Sequence, residues 1–156
     1  MRIEVDDITR PQVLALLGEH LSNMFEITPP EKVFALDATQ LLAPDVTFWT
    51  VWDNGTLLGC GALKELSPTH GEVKSMRTPK AMRRQGAGRA VLVHIIDVAI
   101  RRGYTTLSLE TGSQEDFLPA QALYRSFGFE FCGPFGTYQD NSNSVFMSLQ
   151  LGVESM

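Results

Sequence analysis

Apolar and polar residues recur along the first third of the chain with two different periods, which distinguish strands from helices. Alternation predicts a strand over Arg2 to Asp6, and helical spacing predicts a helix with Pro11 in its first turn that runs to about Phe25. Thr9 is predicted to be the N-cap of this helix, because a threonine side chain can accept a hydrogen bond from the first turn. A short helix is then predicted over Glu31 to Leu42.

The middle of the chain has the pattern of paired strands. Val46 to Asp53 is rich in β-branched and aromatic residues, which favours a strand. Asn54-Gly55 follows it and is a strong hairpin signal, so Thr56 to Leu66 is predicted to pair antiparallel with the first strand. A further strand is predicted over Gly71 to Arg77, after a turn that contains His70 and should leave it exposed to solvent.

The second half alternates between helices and strands. Gly86 to Arg102 carries its apolar residues on one helical face, and Gly103 suits the end of that helix. The elements predicted after it are a strand over Tyr104–Glu110, a helix from about Pro119 to Gly128, and strands over Phe129–Cys132 and Ser144–Leu151. This order predicts an α/β (mixed α+β) fold, with a mixed sheet and helices on both faces.

Length and composition favour one globular domain over residues 1–156, with 44% hydrophobic and 20% charged residues excluding a disordered chain. The best apolar run, Ala90 to Ile100, is interrupted by His94 and Asp97 and is too short for a membrane span. No membrane partner is therefore predicted.

The two cysteines, Cys60 and Cys132, are too few for a disulfide framework or a four-ligand zinc site, and no metal site is predicted. Each lies in an apolar, strand-like stretch, so both are predicted to be buried free thiols. Free thiols, and an N-terminus that is acidic and unlike a signal peptide, predict a cytoplasmic location.

The charge is unevenly distributed along the chain, whose formal net charge is −5. Residues 73–96 contain no acidic residue and six basic ones, which are Lys74, Arg77, Lys80, Arg83, Arg84 and Arg89. A local basic segment in an acidic protein favours a compact polyanion, such as a phosphorylated cofactor, over nucleic acid. A solvated basic face is the alternative reading of the same segment.

A glycine-rich turn, Arg83-Arg84-Gln85-Gly86-Ala87-Gly88, lies between a predicted strand and a predicted helix. Glycines there let the backbone approach a ligand, and amides at a helix N-terminus bind phosphate. A P-loop is excluded because GK[ST] is absent, and a dinucleotide fingerprint is disfavoured because Val91 stands where a third glycine is needed. A pyrophosphate-binding turn and a plain capping turn both remain open.

The turn, the preceding strand GEVKSMRT, the segment SLETG and the helix exit LYRSFGF together resemble the GNAT superfamily of acetyl-CoA-dependent N-acyltransferases. Segments outside residues 71–133 are also similar to a bacterial, YsnE-like branch of that superfamily. The resemblance implies a GNAT-like fold with a central, mixed and mostly antiparallel sheet of six to seven strands. It implies acetyl-CoA as the cosubstrate and a small-molecule or peptide amine as the acceptor.

The resemblance also implies roles for particular residues. Tyr124 matches a tyrosine that protonates the leaving thiolate, and Glu72 matches the position of a catalytic glutamate. The end of the strand before the turn would pair with the pantetheine arm of the cofactor, and its amides would polarise the thioester carbonyl. The glycine-rich turn would hold the pyrophosphate. The residues implied in cofactor binding are Ser75, Met76, Arg77, Thr78, Arg83, Arg84, Gln85, Gly86, Ala87, Gly88 and Arg89.

The chemistry explains why such residues are needed. An alkylamine is unprotonated in only about one molecule in 2,500 at pH 7, so a base such as Glu72 must remove a proton before attack. Glu72 could instead be a surface carboxylate paired with Lys74, and Tyr124 could be a core aromatic. No histidine stands at a defined spacing from either cysteine, which favours direct attack over a covalent acyl-enzyme.

The sequence thus predicts a bacterial N-acetyltransferase with a primary amine as acceptor. The acidic character of the rest of the chain favours a cationic acceptor, such as a polyamine, an aminoglycoside or a lysine side chain. A non-catalytic acyl-CoA-binding sensor is the alternative. A homodimer is possible, since dimers are frequent in the superfamily.

Overall fold

The computed structural model describes residues 1–21, 41–78, 86–136, 138–140, 142 and 144–151. Three predictions lie outside these residues: the helix end near Phe25, nearly all of the helix over Glu31 to Leu42, and the turn residues Arg83, Arg84 and Gln85.

The strands within the described ranges are β1 (Arg2–Val5), β2 (Val46–Asp53), β3 (Thr56–Ser67), β4 (His70–Arg77), β5 (Thr106–Gly112), β6 (Glu130–Cys132) and β7 (Ser144–Gln150). The helices there are α1 (Pro11–Leu21), α2 (Ala87–Arg101) and α3 (Leu118–Ser126). A 3-10 turn over Glu115–Phe117 precedes α3. No helix in these ranges is long and apolar enough to cross a membrane.

The strands form one sheet of seven, in the order β1-β2-β3-β4-β5-β7-β6, as far as the structure describes the chain. β4 pairs with β5 in parallel, whereas β1 with β2, β5 with β7 and β6 with β7 are antiparallel. The predicted mixed, mostly antiparallel sheet of six to seven strands is therefore confirmed.

The chain divides into two compact units, one built from residues 1–63 and 75–95 and the other from residues 64–74 and 96–156. In the first unit, one face of α1 contributes Val13 and Leu17 to an apolar cluster that includes Phe48, Trp52 and Cys60. In the second unit, the fully buried side chains come mainly from β5, β7 and the residue before β6, and include Leu107, Leu109, Phe129 and Met147.

The hairpin between β2 and β3 forms where the sequence predicts it. Asn54 and Gly55 have φ angles of 50° and 79°, which are the positive values that a type I′ turn requires at both central positions. Asparagine and glycine tolerate this left-handed conformation better than other residues do, so the dipeptide fixes the register of the two long strands that it joins.

The predicted cap of α1 is wrong. The backbone carbonyl of Arg10 accepts the first helical hydrogen bonds, from the amides of Val13 and Leu14, so Arg10 rather than Thr9 occupies the N-cap position. The Thr9 hydroxyl donates to Asp7 Oδ1 instead, at 2.7 Å. The guanidinium of Arg10 lies over the ring of Trp52 at 4.2 Å.

The prediction that both cysteines are buried is only half right. Both are free, and Cys60 in β3 has no exposed surface. Cys132 is exposed, because β6 is a three-residue strand at the edge of the sheet and all three of its residues face solvent in part. A short apolar run in sequence therefore does not distinguish an edge strand from a central one.

Candidate active site

The N-terminus of α2 has the geometry expected of an anion-binding turn. Gly86 precedes it with a φ of 84°, a left-handed value that favours glycine. The carbonyl of Gly86 accepts the first helical bond, from the amide of Ala90 at 2.9 Å. The amides of Ala87 and Gly88 belong to the first turn, where backbone donors have no acceptor within the helix, and Arg89 follows in the same turn. The first turn has no acidic residue, so the helix dipole and these amides suit a pyrophosphate.

The end of β4 departs from regular strand geometry at Ser75, whose φ is 54°. Cys60 Sγ donates to the carbonyl oxygen of Ser75 at 3.3 Å. The parallel ladder of β4 with β5 ends at the pair Val73↔Leu109, although β4 continues to Arg77 and β5 to Gly112. The residues implied to pair with pantetheine, from Ser75 to Thr78, therefore follow the end of that ladder.

Gly59 in β3 lies against this same strand end. A Cβ atom placed on Gly59 would lie 2.9 Å from the carbonyl oxygen of Arg77 and 3.3 Å from Cβ of Ala87. A real side chain does not fit at 2.9 Å from a backbone atom, so the glycine allows close approach of the β4 end and the first residue of α2.

Glu72 is the predicted catalytic glutamate, and the structure places it in β4 with only 3% of its surface exposed. Its Oε2 accepts hydrogen bonds from the hydroxyl of Tyr138 at 2.6 Å and from Lys74 Nζ at 3.4 Å. The predicted pairing with Lys74 is thus present, but Glu72 is not a surface carboxylate. A buried carboxylate requires such partners, because its desolvation is costly.

Tyr138 completes this group and is not among the site residues that the sequence predicts. Its ring packs edge-on against Phe135 at 5.1 Å and tilted against Phe146 at 5.6 Å between centroids. Burial raises the pKa of Tyr138 well above its ordinary value, and the hydrogen bond to Glu72 raises it further. Tyr138 lies between β6 and β7 in a stretch without periodicity, and its only signal was that irregular segments often carry functional side chains.

Tyr124, the predicted acid, lies in the last turns of α3 with 6% of its surface exposed. Its ring packs edge-on against Phe129, with 5.8 Å between the ring centroids. Backbone contacts after the helix keep this pair together, because the amides of Phe127 and Phe129 both donate to the carbonyl of Tyr124.

His70, expected to be exposed in a turn, is instead the half-buried first residue of β4. Its Nε2 lies 2.7 Å from Ser108 Oγ, which in turn lies 2.8 Å from Ser148 Oγ. The parallel register of β4 with β5 brings His70 and Ser108 together and could not be read from the sequence.

Comparison with known proteins identifies the family. Residues 13–129 match the model of the Acetyltransferase (GNAT) family. The chain is 51% identical to the uncharacterized N-acetyltransferase YsnE of Bacillus subtilis, over 97% of this chain and 100% of that protein. It is 46% identical to the uncharacterized N-acetyltransferase YedL of Escherichia coli, over 96% of this chain and 94% of that protein.

A solved structure agrees with these relatives. The crystal structure of a presumed acyl-CoA N-acyltransferase from Klebsiella pneumoniae has a TM-score of 0.78 to this chain, with 29% identity over 97% of both chains. The resemblance to the YsnE-like branch is confirmed, and so are the acyltransferase class and acetyl-CoA as cosubstrate. The chain belongs to the acetyltransferase (GNAT) family.

Proposed function

We propose that this chain transfers the acetyl group of acetyl-CoA to a primary amine, by direct attack of the amine on the thioester while both substrates are bound. Glu72 is the general base that takes the proton from the ammonium group. Tyr124 is the acid that protonates the departing thiolate. The acceptor is a small molecule or a peptide, and it carries positive charge.

The environment of Glu72 is the observation that carries this proposal. A general base needs a carboxylate that is held in place and largely shielded from water, and Glu72 is nearly fully buried in β4. Glu72 lies three residues before Ser75, whose left-handed backbone begins the segment proposed to hold the pantetheine arm. Removal of the ammonium proton by Glu72 leaves the lone pair of the nitrogen free to attack the thioester carbon.

Charges around Glu72 support a cationic acceptor. Lys74 Nζ lies 3.4 Å from Glu72 Oε2 and offsets one negative charge. Glu110 in β5 is close enough to act on the titration of Tyr138, so a second carboxylate adds negative charge near the hydrogen-bond partner of Glu72. Negative charge in this region attracts a protonated amine and keeps it near the base.

Binding of acetyl-CoA is assigned to two elements. The first-turn amides and the helix dipole of α2, with Gly86 before them, are suited to the pyrophosphate. The backbone from Ser75 to Thr78 is suited to pair with the pantetheine arm as an added strand, and its amides to polarise the thioester carbonyl. The side chain of Tyr124 then supplies a proton to the sulfur. This contribution is modest, because a thiolate with a pKa of about 8.5 is already a fair leaving group.

The test is acetyl transfer to a panel containing a polyamine, an aminoglycoside and a lysine peptide, measured by mass spectrometry. Glu72→Gln is expected to lower kcat at least about 100-fold, since general-base catalysis contributes about 10²–10⁴-fold. Tyr124→Phe is expected to lower it by about 10-fold. Undiminished activity of Glu72→Gln would remove Glu72 from the mechanism.

The chain offers a matched control for Glu72→Gln. Glu65 in β3 also accepts a hydrogen bond from a tyrosine hydroxyl, that of Tyr104 at 2.7 Å. Glu65→Gln should leave kcat unchanged. If acetyl-CoA binds but no amine gains an acetyl group, the sensor alternative is supported instead. The cytoplasmic location and the homodimer stay predictions.

A further inference from the structure

We propose that Tyr138 is a positioning residue for Glu72: its hydroxyl holds Oε2 of the carboxylate and thereby presents Oε1 to the ammonium group of the acceptor. The inference rests on the proposed function, in which Glu72 is the general base. It adds a residue from the segment between β6 and β7 to that site.

The hydrogen-bond pattern at the carboxylate supports this role. The Tyr138 hydroxyl donates to Glu72 Oε2 at 2.6 Å, and Lys74 Nζ donates to the same oxygen at 3.4 Å. Lys74 Nζ also lies 3.3 Å from the Tyr138 hydroxyl oxygen, so the three groups form a closed triangle. Among the described residues, the hydrogen bonds from Tyr138 and Lys74 to this carboxylate are both accepted by Oε2. One oxygen is thus held by the protein, and the other is the candidate proton acceptor.

Packing fixes the tyrosine ring and hence the hydroxyl. Phe135 and Phe146 contact the ring edge-on and tilted, and Phe135 and Phe146 also pack on each other with 5.9 Å between centroids. Tyr138→Phe keeps the ring in this aromatic cluster and removes only the hydroxyl. The variant is therefore expected to fold and to report on the hydrogen bond alone.

Two titratable groups among the described residues form hydrogen bonds with this carboxylate, Lys74 on β4 and Tyr138 after β6. His70 lies two residues before Glu72 on the same strand, and Glu110 on β5 acts on the titration of Tyr138. Burial raises the pKa of Tyr138, so its hydroxyl keeps its proton at neutral pH and remains a donor.

The experiment compares the unchanged chain with Tyr138→Phe in two measurements. The first is the chemical shift of the Glu72 carboxyl carbon in protein labelled with 13C-glutamate, recognised by its loss in Glu72→Gln and recorded without substrates. The second is the pair of constants kcat and KM with an amine that the panel identifies. Removal of the hydroxyl should shift the carboxyl resonance and lower kcat by about 10-fold, because the base is no longer held in place, with little change in KM.

Tyr104→Phe is the matched control. Tyr104 is buried, with 2% of its surface exposed, and like Tyr138 it donates to a glutamate, in this case Glu65 at 2.7 Å. This variant should leave both the Glu72 resonance and kcat unchanged. Equal shifts in the two tyrosine variants would mean a general loss of stability and would overturn the positioning role.

The outcomes separate this inference from the proposed function. If Glu72→Gln is inactive while Tyr138→Phe moves neither measurement, the positioning role fails and the proposed function stands. A shifted resonance with an unchanged kcat would mean that the hydrogen bond is only a structural contact, and it would also overturn the role. If Glu72→Gln is fully active or no amine is acetylated, the proposed function fails, and the positioning role fails with it.

Discussion

The thiol of Cys60 in β3 donates a hydrogen bond to the carbonyl oxygen of Ser75 in β4, at the residue where β4 adopts a left-handed backbone. A non-glycine residue with this φ of 54° costs about 1–2 kcal/mol relative to an ordinary strand conformation. The buried thiol is thus one of the contacts that hold a strained carbonyl in place. The strain lies at the start of the segment that we assign to pantetheine binding.

Replacement of Ser75 should reveal this strain. Ser75→Gly is expected to raise the free energy of unfolding or leave it unchanged, because glycine adopts a positive φ without steric cost. Ser75→Val is expected to lower it by about 2 kcal/mol, because a β-branched residue is disfavoured there. Urea denaturation of the two variants provides the measurement, and Ser75→Ala should fall between them. Equal stability of all three would mean that Ser75 does not keep this backbone in solution.

Close packing at Gly59 leads to a second prediction. In Gly59→Ala the new methyl group meets the carbonyl oxygen of Arg77 at 2.9 Å, which forces the end of β4 to shift. The expected cost is about 1–3 kcal/mol of unfolding free energy, as for other overpacked sites. A severalfold weaker binding of acetyl-CoA should accompany it, and isothermal calorimetry would measure that loss.

Gly61→Ala is the control for this change, since Gly61 lies two residues along the same strand. Its added methyl meets Met76 Sδ at 2.8 Å, which is part of a flexible side chain rather than of the backbone. The affinity for acetyl-CoA should change less than in Gly59→Ala. Equal losses of affinity in both variants would argue against a specific role for the Arg77 carbonyl.

The turn before α2 can be tested with two glycines at opposite ends of one helix. Gly86 precedes the helix with a φ of 84°, and Gly103 follows it with a φ of 87°. Gly86→Ala and Gly103→Ala should each lower the free energy of unfolding by about 1 kcal/mol, because alanine is strained at such angles. Acetyl-CoA affinity should fall only in Gly86→Ala. A comparable fall in Gly103→Ala would show that stability rather than the turn controls binding.

Local sequence signals predict most of this fold. Val46 to Asp53 is predicted with the bounds that the structure gives, because β-branched and aromatic residues fill the strand and Asn54-Gly55 ends it. The glycine at the N-terminus of α2 is also recognisable, since Gly86 needs a positive φ. Each of these features is determined by residues that are adjacent in sequence, so it can be recognised from the sequence alone.

Features that depend on pairing over long distances are not predictable in this way. Cys132 is exposed because its strand lies at the edge of the sheet. The apolar residues around it do not indicate the order of the strands in the sheet. Tyr138 reaches Glu72 across 66 positions of sequence, from a segment with no periodicity. The hydrogen bond between them is a product of tertiary structure alone.

Stability at high pH should report on Tyr104 and Tyr138, two tyrosines that donate to glutamates. Burial raises the pKa values of Tyr104 and Tyr138 above their ordinary value, and hydrogen bonds to Glu65 and Glu72 add to this. A raised pKa in the folded state contributes stability that is fully present below about pH 10 and is lost as the pH rises above it. The free energy of unfolding should therefore fall above about pH 10.

Tyr138→Phe should make this alkaline decline shallower, because one of the two groups that bind protons more tightly in the folded state is gone. Urea denaturation between about pH 9 and 11 would measure the slope. The tyrosinate absorbance of the same variant should lose a component that ionises late in the unchanged chain. An unaltered slope would indicate that the Tyr138 hydroxyl is accessible to water in solution.

The unequal exposure of the two cysteines allows one of them to be labelled selectively. Cys60 is sealed in the core and Cys132 faces solvent, so an alkylating dye should attach to the native chain at one position only. Cys132→Ser then gives a chain without an accessible thiol, in which a colorimetric thiol reagent would record only the coenzyme A released by turnover. A continuous assay of this kind would allow the acceptor amine to be sought by screening large compound collections.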